Sequence, residues 1–438
     1  MLDYRFILDH LSEVKQNIAH RYMQADADIV VALFNQRNQL TQTLQSLQQQ
    51  RNANAAAMKR TQDAVERNSL MEEGKKLKDG IAVLEGTLAQ VERDLAVEGR
   101  RIPNMAHPEA PIGKEDKDNL EVKRVGVPKT FDFVPLDHVK LGQDLDIIDF
   151  DTGTKVSGTK FYYLKNEGVF LELGLIRYAL DILTRKGFTP YITPDIAKEE
   201  ILEGIGFNPR GAESNVYTLE EEGTCLVGTA EITLGGYYAN TILPKDRLPL
   251  RMAGLSHCFR REAGAAGQFS KGLYRVHQFT KVEMFVCCLP EESDHLHEEL
   301  RLVEEEIFAG LEIPFRVVDT CTGDLGAPAY RKWDLEAWLP GRANPPSPNG
   351  GEWGEVTSTS NCTDYQARRL NVRYKDETGK NRFVHMLNGT ALAVSRGIIA
   401  VLENFQQADG SVRLPKALVP YCGFEVISPR AKSKSDAK

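Results

Sequence analysis

Between Leu255 and Phe285 the chain reads LSHCFRREAGAAGQFSKGLYRVHQFTKVEMF, and this stretch concentrates side chains able to do chemistry. Arg260, Arg261 and Glu262 stand together, followed by Lys271, Arg275, Gln278, Lys281 and Glu283. The planar fork of arginine suits phosphate or carboxylate, and a glutamate facing it can hold an amine or an adenine amino group. The same residues along a strand also read as a solvated ion-pair ladder. Three further places share this character. In LVGTAEITLGGYY, Thr229 and Glu231 follow Gly228 with apolar residues on both sides. A carboxylate and a hydroxyl in that setting need partners, or they cost several kcal/mol. A helix capped by Thr229 with Glu231 in its first turn is the structural alternative, and it is compatible with a functional role. In GEVTSTSNCTD, Glu355, Thr357 and Ser358 at the end of a strand offer the oxygens that suit a hard divalent cation and its phosphates. An edge strand running into a helix capped by Asp364 accounts for them equally. Finally, Arg396 lies in the apolar part of a helix, where a guanidinium must find an anion. A structural ion pair would satisfy that need too.

The elements that must carry these residues follow from periodicity. Alternation over Ser256–Arg260 and Tyr274–Met284, around a Gly/Ala/Ser loop, predicts a long antiparallel hairpin. A helix is expected over 168–186, ended by Gly187, with a strand interrupted by Pro190 and Pro194 after it. Residues 290–310 read as an acidic amphipathic helix with Leu296, Leu300, Val303 and Ile307 inward. His295 and His297, two apart on that helix, point in different directions and make no metal pair. Residues 313–341 read strand, glycine-bearing loop, strand. Residues 383–421 read as a strand, a turn at Asn388–Gly389, then a helix with Leu392, Ile399 and Leu402 inward.

Upstream the pattern changes. Residues 1–25 form a helical lead with Leu8, Leu11, Val14 and Ile18 on one face. Val30, Leu33, Arg37, Leu40, Leu44, Leu47, Arg51, Asn54 and Met58 then follow steps of three and four. After a polar turn, Leu70, Gly74, Leu77, Ile81, Leu84, Leu88, Val91 and Leu95 do the same. This is an antiparallel coiled-coil hairpin over about 28–98. Its first helix reaches on the order of 45 Å. Arg37, Arg51 and Asn54, with Gly74 opposite, weaken the distal half of the seam. The tip carries Lys59, Arg60, Arg67, Lys75, Lys76 and Lys78. A dimerisation coil or a solvated helix pair explains such a hairpin; so does an arm laid along RNA phosphates. The Pro- and charge-rich segment 101–124 reads as a linker.

Bulk properties set the frame. The 438 residues, 42% hydrophobic, can bury a large core in more than one domain. A net charge of −8 excludes a uniformly basic nucleic-acid binder but not a local basic surface. Seven cysteines without C-x-x-C spacing argue against disulfides and zinc and for a reducing compartment. No apolar run is long enough to span a membrane, and MLDYRFILDHL has neither signal- nor transit-peptide character. A soluble intracellular chain is expected.

The spacing F-R-R-E, then H-Q-F-x-K-V-E, resembles the second signature motif of class II aminoacyl-tRNA synthetases, and more narrowly that of seryl-tRNA synthetases. The resemblance extends over nearly the whole chain. It takes in IPNxxHxxxPxGKxxxxN at the connector, the helix–Gly–strand–Pro of the first motif, and the T-A-E loop. EVTSTSN is similar to the family's E-V-S-S-x-S-N, with Thr357 in place of serine, and Arg396 falls in the third motif. The resemblance implies an α+β fold, a class II antiparallel sheet flanked by helices, with an N-terminal antiparallel coiled-coil arm. The implied domains are a helical domain at 1–100, a linker at 101–124, a catalytic domain at 125–428 and a disordered basic tail at 429–438.

It also implies a serine–tRNA ligase that uses ATP and Mg²⁺, works as a homodimer, and grips tRNA(Ser), and tRNA(Sec) where present, through the arm. Arg260 and Arg396 are the implied catalytic residues. ATP would lie against Arg260, Arg261, Glu262, Val276, Phe279, Glu355, Val356, Thr357, Ser358 and Arg396, with Mg²⁺ held through Glu355 and Ser358. Serine would be held by Thr229, Glu231, Arg260, Glu283, Asn388 and Thr390. Thr390 stands where many bacterial relatives have serine, Ala391 where they have glycine, and GRANPPSPNGGEW (341–353) reads as an extra surface loop. GLYRVHQF and LNGTALAV resemble organellar and plant members, so a mitochondrial or plastid matrix is the alternative to the cytoplasm. Two rival functions are a ligase charging a carrier protein and a non-catalytic tRNA-binding paralogue. The arm speaks against the first, and the retained arginines and Glu355 against the second.

Overall fold

The computed structural model describes residues 1–208, 215–220, 223–263 and 271–430. The Gly/Ala/Ser connection of the central hairpin and nearly all of the expected tail fall outside them. The chain divides into two compact units, Met1–Met105 and Ala106–Lys438.

In the first unit two short helices, Tyr4–Asp9 and Leu11–His20, lead into the long pair Ala27–Arg60 and Ala64–Arg101. Each long helix starts at an aspartate, Asp26 or Asp63, whose carboxylate accepts two backbone N–H bonds. Such caps contribute about 1 kcal/mol each. Val30, Leu77, Ile81, Val91 and Leu95 are buried along the seam. Phe34 rather than Leu33 fills the base, with the Arg37 guanidinium 4.9 Å from its ring. Arg51, expected in the seam, is exposed, since its long charged side chain is better hydrated outside. Asn54 is buried and donates to Glu73 Oε2 at 3.0 Å, beside Gly74. From 55 to 76 no residue is fully buried, so the tip has little apolar packing.

The second unit is built on one eight-stranded sheet: β1 (Leu120–Val125), β2 (Thr189–Ile192), β3 (Leu250–Phe259), β4 (Gln278–Cys288), β5 (Phe315–Asp319), β6 (Arg331–Leu339), β7 (Glu352–Asn361) and β8 (His385–Ala393). The spatial order is β1-β5-β6-β7-β8-β4-β3-β2. Every pairing is antiparallel except β2 with β3. Alternation along β4 shows how the sheet sorts its side chains. Val282, Met284, Val286 and Cys288 enter one core, against helices Glu167–Arg185, Ser293–Gly310 and Val394–Phe405. Phe285 and Cys287 enter a second core, against helices Glu199–Ile205 and Ala230–Gly236. Lys281 and Glu283 share the face of this second core, at its margin. The inward residues expected on Ser293–Gly310 are all buried.

Four local expectations differ from the structure. Asn388–Gly389 is not a turn. Both residues lie inside β8, which is paired on each side by β4 and β7. Gly389 is there because Thr359 approaches so closely that a Cβ would meet its methyl at 2.6 Å. Two-sided pairing outweighs the Asn-Gly turn preference. The return of the central hairpin starts at Gln278, not Tyr274, because residues 272–274 form a single 3₁₀ turn whose polar groups find tertiary partners. Glu355 is in the middle of β7, and β7 is an interior strand, not an edge. Asp364 precedes helix Tyr365–Leu370 but does not cap it; its carboxylate takes Arg368 Nε instead, at 2.8 Å. In addition, residues 120–124 of the segment read as linker belong to β1. Their charges suit a solvated edge strand, where Glu121 pairs with Arg124 and Arg316.

Candidate active site

The site opens on the second-core face of β4, β7 and β8. Arg260, just past the end of β3, donates from Nε and Nη2 to the Gly228 carbonyl, both at 3.4 Å, and its guanidinium sits 5.3 Å from the Phe279 ring. Arg396, in the first turn of Val394–Phe405, donates Nη1 to the Glu355 carboxylate and to the Glu355 carbonyl, each at 3.0 Å. Its guanidinium also lies 4.6 Å from the Tyr274 ring, whose other neighbour is Arg342 at 3.9 Å. The Tyr274 hydroxyl donates to the Glu355 carbonyl at 3.0 Å. Together Arg260, Glu262, Phe279, Glu355, Thr390 and Arg396 line one cavity, bordered also by Val276, Val356 and Thr357. Glu262, at φ +47°, receives Arg275 Nη1 at 3.2 Å.

Beside this cavity is a smaller polar corner. Thr229 caps Ala230–Gly236 by accepting Glu231 N–H at 3.2 Å, so the structural alternative for Thr229 is realised. The cap turns the Glu231 carboxylate toward β8, where Oε1 accepts Gln366 Nε2 at 2.7 Å and Asn388 Nδ2 at 3.0 Å. On β4, the Lys281 ammonium pairs with the Glu283 carboxylate and donates to Thr390 Oγ1 at 3.2 Å; Thr390 in turn donates to Glu283 Oε2 at 3.3 Å. Glu283 and Thr390 are directly opposite in the β4–β8 register, next to an irregularity after Val282.

Of the residues expected to hold ATP, two do not reach the cavity wall, and of the serine set only Arg260 and Thr390 do. Arg261 is exposed, its backbone N–H held by the Asn215 carbonyl at 2.9 Å. Ser358 lies across the β6–β7 register from Asp334, beside that carboxylate. Although Thr357 borders the cavity, its hydroxyl is buried next to Glu304 on the helix side of the sheet. Three residues absent from the sequence-derived set belong here: Lys281, Gln366 and Tyr274. Lys281 had a legible signal, since residues two apart on a strand share a face and Glu283 was already assigned to the site. Gln366 and Tyr274 had none; only the tertiary fold brings them in.

Charge divides the site in two. Burial, then the neighbouring Glu283 carboxylate, push the Glu231 pKa up to about 7, against the pull of Gln366, Lys281 and Arg260. Burial also raises Glu355, but Arg396, Lys332 and Arg260 pull harder, and its pKa is held below the ordinary 4.5. Asp334 is raised to about 6 by burial, with Lys332 opposing. His297 is buried against Thr359 Oγ1 at 3.2 Å and pushed down to about 4 by burial, while His295 is exposed beside Glu299. Among the described residues no cluster of three or more His, Cys, Asp or Glu is arranged to hold a metal ion.

Comparison with known proteins matches this architecture. The model of the seryl-tRNA synthetase N-terminal domain matches residues 1–106, and that of the tRNA synthetase class II core domain (G, H, P, S and T) matches residues 217–405. A serine–tRNA ligase of Treponema denticola is 69% identical over 427 residues, covering 98% of this chain and 100% of the relative. One from Treponema pallidum subsp. pallidum is 60% identical over 430 residues, with 98% and 100% covered. Among solved structures, seryl-tRNA synthetase from Pyrococcus horikoshii complexed with ATP superposes with a TM-score of 0.90 at 40% identity, covering 98% of this chain and 100% of that one.

Proposed function

The chain belongs to the seryl-tRNA synthetase family of class II aminoacyl-tRNA synthetases, and from that premise we propose how its own side chains divide the work. It is an ATP-dependent ligase that joins serine to tRNA. In the first step the serine carboxylate attacks the α-phosphorus of ATP and pyrophosphate leaves. In the second the seryl group passes to a terminal ribose hydroxyl of tRNA and AMP leaves. Neither step needs a strong base; both need alignment and neutralised charge.

Arg260 and Arg396 supply that neutralisation from two sides of the larger cavity. Arg260 reaches the serine carboxylate and the α-phosphate, and Arg396 the outer phosphates. Phe279 offers a stacking face for adenine, beside Glu262, Val276 and Val356. Mg²⁺ would be held through Glu355 at the cavity wall and would neutralise phosphate charge; Ser358, set back beside Asp334, does not fit as its second ligand. Thr229 and Glu231 receive the serine ammonium. Glu283, Asn388 and Thr390, with Lys281 holding Glu283 in place, receive the serine hydroxyl. A pocket made of such groups rejects alanine because they would be left unpaired. The observation that carries the reading is this juxtaposition. The half-buried Glu231 carboxylate, held by two neutral amide donors and with no salt bridge among the described residues, lies near Lys281 and Arg260, which wall a cavity together with Arg396 and its paired Glu355.

Two finer points belong to the same proposal. The protein works as a homodimer: Val169 (39% exposed), Phe170 (55%) and Leu173 (55%) on helix Glu167–Arg185, with Ile192 (87%) on edge strand β2, leave an apolar face for a second copy. The long helix pair of the first unit grips tRNA(Ser), and tRNA(Sec) where it occurs, because Lys59, Arg60, Arg67, Lys75, Lys76 and Lys78 are all exposed at its tip. The cytoplasm is the proposed location, the curated relatives being bacterial. Among the described residues no helix is long and apolar enough to cross a membrane. Amino-acid-dependent ATP–pyrophosphate exchange tests the reading. Exchange with serine and with none of the other nineteen amino acids is expected; no exchange with any would sink it.

A further inference from the structure

One buried polar cluster outside the cavity wall has no part in the scheme above. Glu403 lies about two turns beyond Arg396 on the same helix. Its oxygens accept His138 N at 3.1 Å, His138 Nδ1 at 2.8 Å and Gly341 N at 3.0 Å, and its side chain is almost wholly buried. The far side of the imidazole is also engaged, since Leu273 N–H donates to His138 Nε2 at 3.2 Å. A ring nitrogen that accepts an N–H carries no proton, so the proton sits on Nδ1 and is donated to Glu403. Next to it, Asp137 accepts Lys271 Nζ at 2.5 Å while its other oxygen caps helix His138–Asp144. Gly272, at φ +62°, passes so near the ring that a Cβ would stand 2.2 Å from Nε2. Two adjacent residues thus fasten residues 271–273, just ahead of β4. The next residue is Tyr274, whose ring lies against Arg396 and Arg342 and whose hydroxyl holds the Glu355 carbonyl.

We propose that His138, oriented by Glu403, is a positioning residue for serine activation. By fixing Leu273 it fixes Tyr274, and through Tyr274 it holds Arg396 and Glu355 at the phosphate end of the cavity. His138 itself touches no substrate. The serine corner is assembled on other supports, namely the Thr229 cap, Gln366 and the β4–β8 pairs, so the effect is confined to ATP. The inference rests on the serine-activating reading of the site.

The experiment is serine-dependent ATP–pyrophosphate exchange by the full-length protein and its His138→Gln, Gly272→Ala, Tyr274→Ala and His138→Gln/Tyr274→Ala variants. Active sites are titrated so that loss of folded protein is removed from the rates. His138→Gln is expected to raise the KM for ATP about tenfold and lower kcat, with the KM for serine within about twofold of wild type. Gly272→Ala, which strains the φ +62° turn and crowds the imidazole and Val139 without deleting a buried group, should give the same signature if His138→Gln does not fold. The double variant should be no worse than Tyr274→Ala alone, because both changes break one chain of contacts. An unchanged KM for ATP, an equal rise in the KM for serine, or additive effects in the double variant would each overturn the inference. Absence of exchange in the wild type would instead overturn the reading beneath it, and the inference with it.

Discussion

Glu231 and Glu355 are both partly buried carboxylates of the same site, yet their protonation is shifted in opposite directions. Burial raises both. The difference is what faces them. Glu355 has Arg396 at 3.0 Å, with Lys332 and Arg260 in range, so it stays ionised below its ordinary pKa. Glu231 has two neutral amide donors and a second carboxylate nearby; Lys281 and Arg260 act on it only from a distance, and it forms no salt bridge among the described residues. One half of the site is therefore complete within the protein. The other half has no such partner among the described residues, which fits the proposal that the ammonium of serine supplies the cation.

The comparison is broken most severely from the completed side. Arg396→Ala should lower kcat for pyrophosphate exchange by about 10²–10³-fold, the size of losing a donor aimed at developing charge. Arg396→Lys should recover little, because an ammonium cannot both pair with Glu355 and lie flat on Tyr274. Exchange kinetics at saturating serine measure this; activity near wild type in Arg396→Ala would remove Arg396 from the phosphate end. From the incomplete side, Glu231→Gln should raise the KM for serine about 30-fold or more while leaving the KM for ATP near wild type, since one partner of a desolvated charge pair is gone. Equal changes in both constants would show that the two halves are not separable.

Much of this division was legible in the sequence, and the reason is local. Arg260, Glu262, Phe279, Glu355 and Arg396 sit in short segments whose order and spacing resemble the class II motifs, and the structure gathers them around one cavity. What could not be read is what depends on partners far along the chain. Gln366 meets Glu231 across 135 residues, and His138 meets Leu273 across a similar span. Asn388–Gly389 shows the converse failure: a strong local turn signal is overruled because β8 is paired on both sides. Charge-rich 120–124 reads as linker for a related reason, since an edge strand is written with the same residues as a solvated connection.

A gentler change sharpens the contrast through pH. With Glu231 at about 7, only about a tenth of it is ionised at pH 6, so the KM for serine should rise roughly tenfold between pH 8 and pH 6. Glu355 is already ionised throughout that range and adds no matching rise to the KM for ATP, measured at saturating Mg²⁺. Glu231→Gln should have a KM for serine that is high and flat over the same interval. A wild-type KM that does not move with pH would contradict the uncompensated state of Glu231.

The smallest effect concerns stability without substrate, and its sign is opposite to the effect on activity. An unfolded glutamate titrates near 4.5, whereas Glu231 in the fold titrates near 7. Below pH 4.5 both states hold the proton and the residue is neutral to stability. Between 4.5 and 7 the folded protein binds more protons than the unfolded chain, so stability falls as pH rises; above 7 the cost is constant, a few kcal/mol at most. Glutamine carries no such cost, and its side-chain oxygen can still accept from Gln366 and Asn388. Glu231→Gln should therefore raise Tm by a few degrees at pH 8, with the gain shrinking toward pH 5. Excess serine should raise the Tm of the wild type and not of the variant, because only the wild type gains from binding. Thermal melts at pH 5 and pH 8, with and without serine, decide it: a variant less stable than wild type at pH 8 would mean that Lys281 and Arg260 already compensate the Glu231 charge without substrate.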